Sequence, residues 1–99
     1  MPTLKIDLQD DFAGETVVLR LNGNEVYRGA PRTRRQIGLA ESRSFIVPAQ
    51  HITVEVAIPQ SGVSKSLDLD VFRDMYVGVK FSPEKELSLH SSSEPFGYV

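Results

Sequence analysis

Six arginines fall between positions 20 and 43 (Arg20, Arg28, Arg32, Arg34, Arg35 and Arg43), against only two carboxylates in that window, Glu25 and Glu41. The window therefore carries +4 (six minus two), and because the whole chain stands at −2, the remainder carries −6. A guanidinium is a planar fork of donors that matches the two oxygens of a carboxylate or phosphate, so arginines held together are a means of recognising anions. The run Arg32-Thr33-Arg34-Arg35-Gln36 follows Gly29-Ala30-Pro31. Glycine and proline interrupt regular structure, which places the arginines on a loop, where binding groups concentrate. Arg32, Arg34, Arg35 and Arg43 are thus the candidate anion- or partner-binding residues. The competing reading is that they pair with the chain's own acidic strands. Nucleic acid is not the expected anion, because no aromatic residues interleave with the arginines as a base-stacking platform requires. The isoelectric point near 5.6 is also that of an acidic domain, whereas nucleic-acid binders are strongly basic.

Other chemistry is poorly provided for. The two histidines, His51 and His90, lie in no nucleophile motif, and the phosphate-loop, dinucleotide and G-x-S-x-G signatures are absent. No cysteine is available for a thiolate metal site. Asp68 and Asp70 share a strand face, but the calcium-loop spacing fails because Phe72 and Arg73 stand where a ligand and a glycine belong. No catalytic residue, metal or cofactor is expected, and the chain does not read as an enzyme.

The C-terminal run Ser91-Ser92-Ser93-Glu94-Pro95-Phe96-Gly97-Tyr98-Val99 changes character from what precedes it. Serine-rich ends are ordinarily mobile, but the aromatics suggest an end that docks. Phe96, Tyr98 and Val99 are the candidate contacts, with the chain's own sandwich edge as first choice and a partner or a second copy as the other.

The elements that position these residues read as strands. Leu4-Lys5-Ile6-Asp7-Leu8, Val17 to Leu21, Ile52 to Ile58, Leu67 to Val71, Met75 to Phe81 and Leu87 to His90 alternate apolar and polar side chains. A period of two puts oily residues on one face of a sheet and polar ones on the other. Val26 to Arg28 and Arg43 to Val47 read as shorter strands, and the best helical candidate, Thr33 to Glu41, is short and arginine-heavy. One wet face per sheet argues for antiparallel pairing. Seven to eight short strands in 99 residues give an all-β, antiparallel sandwich with little or no helix. It is immunoglobulin-like in architecture only, because the paired cysteines and core tryptophan of that fold are missing. Residues 1–90 form the domain and 91–99 a C-terminal tail, docked or flexible.

Two hairpins can be drawn in register. Asn22-Gly23 suits a two-residue turn whose central positions need positive φ, setting Leu19 opposite Val26 and Arg20 opposite Glu25. Pro59-Gln60-Ser61-Gly62 suits a four-residue turn, which aligns Ile58 with Val63, Val54 with Leu67, Ile52 with Leu69 and, on the wet face, His51 with Asp70. The strand Val63 to Val71 is the expected guarded edge. Lys65 stands there at an inward position, a device that discourages edge pairing.

The N-terminus shows no leader peptide, and no apolar run approaches the ~20 residues that cross a bilayer as a helix. A soluble, cytoplasmic protein is expected. Its function reads as a noncatalytic binding module with a protein partner or a second copy, with no role for nucleic acid or membrane. The alternative is a small-ligand or carbohydrate-binding domain, which is less well served because Tyr27 and Tyr76 are the only outward aromatic candidates.

Overall fold

The computed structural model describes residues 1–10, 12–34, 38–82, 84 and 86–97. Eight strands are formed: β1 (Thr3–Leu8), β2 (Val17–Leu21), β3 (Asn24–Gly29), β4 (Glu41–Ile46), β5 (Gln50–Ile58), β6 (Val63–Val71), β7 (Met75–Phe81) and β8 (Leu87–Ser92). The only helical element among the described residues is a 3-10 turn at Pro59–Ser61. The chain makes two four-stranded sheets, ordered β4-β1-β7-β8 and β3-β2-β5-β6, and their inner faces meet in one core. Leu4, Ile6, Leu8, Val77 and Val79 of the first sheet and Leu19, Val54, Val56 and Ile58 of the second are at most 1% exposed. Burying each such side chain is worth about 1.5–3 kcal/mol before the entropy of ordering it is counted.

The alternation of the sequence is realised strand by strand, and the β5–β6 register runs from Ile58↔Val63 through Val54↔Leu67 to His51↔Asp70. The intervening turn closes with Gly62 at φ 65, its N–H donating to the Pro59 carbonyl. On the wet face His51 Nδ1 and Asp70 Oδ1 are 2.9 Å apart, and the Thr53 hydroxyl donates to Asp68 at 2.7 Å. Both aspartates are therefore engaged across the ladder. β6 is the edge of its sheet, with Lys65 exposed.

Three features depart from the sequence reading. First, the first sheet is mixed, since β1 runs parallel to β7, with Leu4↔Met75 and Leu8↔Val79 in register. Alternation marks which face is buried but carries no strand direction. Second, the Asn22-Gly23 turn forms with both residues at positive φ, and Leu21↔Asn24 and Arg20↔Glu25 are as drawn, but the register then slips. Val26 becomes the extra residue of a bulge, 38% exposed, and Leu19 faces Tyr27 instead. The bulge carries the tyrosine ring onto the core margin in place of the smaller valine. Third, the β7–β8 ladder continues past His90 to Ser92. In keeping with the little or no helix expected, Thr33 to Glu41 holds none among its described residues, since Arg34 bridges Leu39 and Glu41 already belongs to β4.

Tyr27 provides a pH probe of the β3–β4 side. Its phenol is held above its ordinary value, chiefly by burial and then by the Glu41 carboxylate, with the Arg43 guanidinium opposing. A raised pKa means the stability attached to the protonated ring is intact below about 10 and is lost as pH rises through the higher folded value. Tyr27 should ionise above the ordinary phenol value in an ultraviolet titration of the folded chain, read as the step that Tyr27→Phe removes. A removed step centred at the ordinary value would contradict the packing described here.

Candidate arginine site

The arginine loop is held to the segment that follows β1. Thr33 N–H donates to the Phe12 carbonyl at 2.9 Å, Gly14 N–H to Pro31 at 3.0 Å and Ala40 N–H to Leu8 at 2.7 Å. The Thr33 side chain adds two more bonds, donating to the Gln9 carbonyl at 2.6 Å and accepting from Phe12 N–H at 2.8 Å. Phe12 is itself buried, with its ring stacked 5.9 Å from Phe81. Thr33 thereby fastens the loop to the core.

Because Thr33 turns inward, its neighbours turn outward by the alternation of extended backbone. Arg32 forms an isolated bridge with Ala13, Arg34 forms one with Leu39, and both arginines are exposed. The Arg34 bridge is closed by Arg34 N–H to Leu39 at 3.0 Å and Gly38 N–H to Arg34 at 2.8 Å, with Gly38 at φ 69. Gly14 suits the neighbouring turn because it sits at φ 97, a conformation other residues rarely adopt, and the Arg32 guanidinium lies against it, with Nη2 2.9 Å from where a Cβ would stand.

The remaining arginines have partners. Arg20 binds Glu55 of β5 at 2.8 Å rather than Glu25, because β2 lies between β3 and β5 and Glu55 faces it as well. Glu25 is taken by Arg28 at 2.8 Å, which holds the Glu25 carboxyl below its usual value. Arg43 stands on the inward side of β4 yet remains exposed at the sandwich margin, 3.3 Å from Glu41 and 5.2 Å above the Tyr27 ring. Arg32 and Arg34 make no ion pair among the described residues. Arg35 lies outside the described residues. Of the four arginine candidates, the structure thus leaves Arg32 and Arg34 exposed two residues apart on one stretch, and engages Arg43 within the molecule.

Beside Arg34 is a notch of about 210 Å³ lined by Arg34, Leu39, Ala40, Glu41 and Ser42. At its base the Ser42 hydroxyl donates to Asp7 Oδ1 at 2.7 Å, and Asp7 is 2% exposed although alternation puts it on the wet face of β1. Larger hollows of about 400 and 580 Å³ lie at the mouth between β6 and β8. There Lys65 and Lys80 are offset by Asp10 and Glu86, so no net charge favours an anion.

In the tail, Phe96 is half-buried with its ring edge-on to His90 at 5.0 Å, while Tyr98 and Val99 lie outside the described residues. Thr33, Gly14 and Asp7 escaped the sequence reading. Only Gly14 left a signal, as a lone glycine between two strands. No family model, curated protein or solved structure matches this chain.

Proposed function

We propose that this chain is a noncatalytic interaction module that engages an acidic segment of a protein partner through Arg32 and Arg34. One observation carries the reading. Within an arginine cluster whose other described members are paired internally, these two are exposed, without an ion pair among the described residues, and fixed by backbone bridges. Fixing the backbone beforehand lowers the entropy lost on binding. The noncatalytic reading is supported by the histidines. His51 bonds Asp70 and His90 contacts Phe96, and neither has a serine hydroxyl as a hydrogen-bond partner among the described residues. The carbohydrate or small-ligand alternative is weakened because Tyr27 and Tyr76 are half-buried. The notch beside Arg34, about 210 Å³, is also smaller than the ~300–1,000 Å³ of typical ligand pockets.

Titration calorimetry with a glutamate-rich peptide tests the proposal. Replacing both Arg32 and Arg34 with alanine should weaken binding by about tenfold or more and flatten its salt dependence. Arg28→Ala should leave affinity within about twofold, since Glu25 already occupies that guanidinium. Equal binding by the unmodified chain and the double variant would dismiss the site.

A further inference from the structure

The two sheets have four edge strands, β3, β4, β6 and β8. An edge exposes main-chain donors and acceptors that pair with another strand unless something blocks them. Three of the four are blocked. β3 is kinked by the bulge at Val26, β4 points Glu41 and Arg43 inward, and β6 holds Lys65 at an inward position. β8, which β6 approaches across the mouth of the sandwich, carries no such guard in its own strand. Its sequence is Leu87-Ser88-Leu89-His90-Ser91-Ser92, with no proline, carboxylate, lysine or arginine. Among the described residues the tail does not pair with it: the chain turns at Ser92, whose Oγ bonds the Glu94 N–H and carbonyl, and Phe96 rests on the His90 ring.

The direction of the free groups follows from the β7–β8 ladder. Ser82 N–H donates to the Glu86 carbonyl at 2.9 Å, extending the register Phe81↔Leu87 by one pair. Hydrogen-bonded pairs alternate along an antiparallel ladder. The backbone groups of Ser88, His90 and Ser92 therefore face β7, and those of Leu87, Leu89 and Ser91 face the open edge.

We propose that two copies of this chain associate by antiparallel pairing of β8 with β8, about a two-fold axis at Leu89. Leu89 then lies opposite its own counterpart, Leu87 opposite the partner's Ser91, and Ser88 opposite the partner's His90. In this register all three edge-facing residues meet edge-facing residues, and each such pair exchanges two main-chain hydrogen bonds. Inward side chains meet inward side chains, so the half-buried Leu89 gains an apolar neighbour. Moving the axis to His90 would leave Leu87 unmatched within the strand. A second copy is the fitting occupant because the strand is self-complementary, as a two-fold contact requires, and no like charges face each other across it. The sheets join into one, β4-β1-β7-β8 continuing into its mirror order. This surface is separate from the arginine site, and neither inference depends on the other.

Sedimentation equilibrium on the full chain, with amide exchange at low and high concentration, tests the pairing. A dimer is expected, with exchange at Leu87, Leu89 and Ser91 slowing as concentration rises. Two double variants at exposed positions, Ser88→Lys with His90→Lys and Ser88→Glu with His90→Glu, each place like charges opposite one another. Each should dimerise about tenfold more weakly, and mixing them should restore a heterodimer. A chain monomeric at all concentrations, a dimer protected at another edge, or variants that gain nothing on mixing would overturn the proposal. So would a monomer that accepts an unrelated uncharged strand peptide along β8, since the edge would then belong to a foreign partner.

Discussion

Val54→Asp is expected to abolish folding. Val54 is wholly buried in β5, a central strand, with Leu21 facing it from β2 and Leu67 from β6. Its inward position means that a carboxylate there would meet only apolar side chains from both sheets. The group would have to stay charged without a partner or take up a proton, and either course costs several kcal/mol. A domain of this size has only ~5–15 kcal/mol in total, so most of its stability is lost. Loss of the β-sheet circular dichroism signal, with no cooperative melt, is the expected result. Thr53→Asp, one residue away on the half-exposed face, should remain folded, and a folded Val54→Asp protein would mean the faces are assigned the wrong way round.

The second large effect is expected at Thr33. Thr33→Val keeps the shape of the side chain and removes both of its hydrogen bonds, leaving the Phe12 N–H and the Gln9 carbonyl without that partner. Stranding such groups costs ~1–3 kcal/mol, which for a chain near 100 residues lowers the melting temperature by roughly 5–15 °C. The loss should reach function as well. Freed from segment 9–14, Arg32 and Arg34 would have to be ordered during binding, so affinity for a glutamate-rich peptide should fall although both arginines remain. Thr33→Ser retains the hydroxyl and should restore most of both quantities. A valine variant with unchanged melting and binding would show that the clamp does not hold the loop.

Much of the fold was legible because period-two patterning and turn chemistry agree wherever strands are neighbours in sequence. The β5–β6 hairpin is the clearest case: proline and glycine fix the turn, the turn fixes the register, and the register brings His51 to Asp70 across seven intervening pairs. The bulge at Val26 was not legible, since Val26 and Tyr27 are both acceptable strand residues. The choice between them was made by contacts with the core and with Arg43, which come from other strands. The parallel β1–β7 pair was hidden for a related reason: its members are remote in sequence, and no turn connects them. At the site, the residue type and the loop were visible. The sorting of arginines into paired and unpaired was not, because Glu55 reaches Arg20 from a strand far along the chain and Tyr27 lies under Arg43 only after the bulge forms. Thr33 carried no signal, since a threonine that clamps a loop looks like any other until its partners are placed.

The site rests on Arg32 and Arg34 being free to bind while Arg20, Arg28 and Arg43 are already engaged. Side-chain nitrogen NMR resolves the guanidinium Nε–H signals of the arginines and can follow them as a glutamate-rich peptide is added. Saturable shifts of the Arg32 and Arg34 signals, with those of Arg20, Arg28 and Arg43 nearly unmoved, are the expected result. Shifts of equal size at every arginine, or none at Arg32 and Arg34, would contradict it.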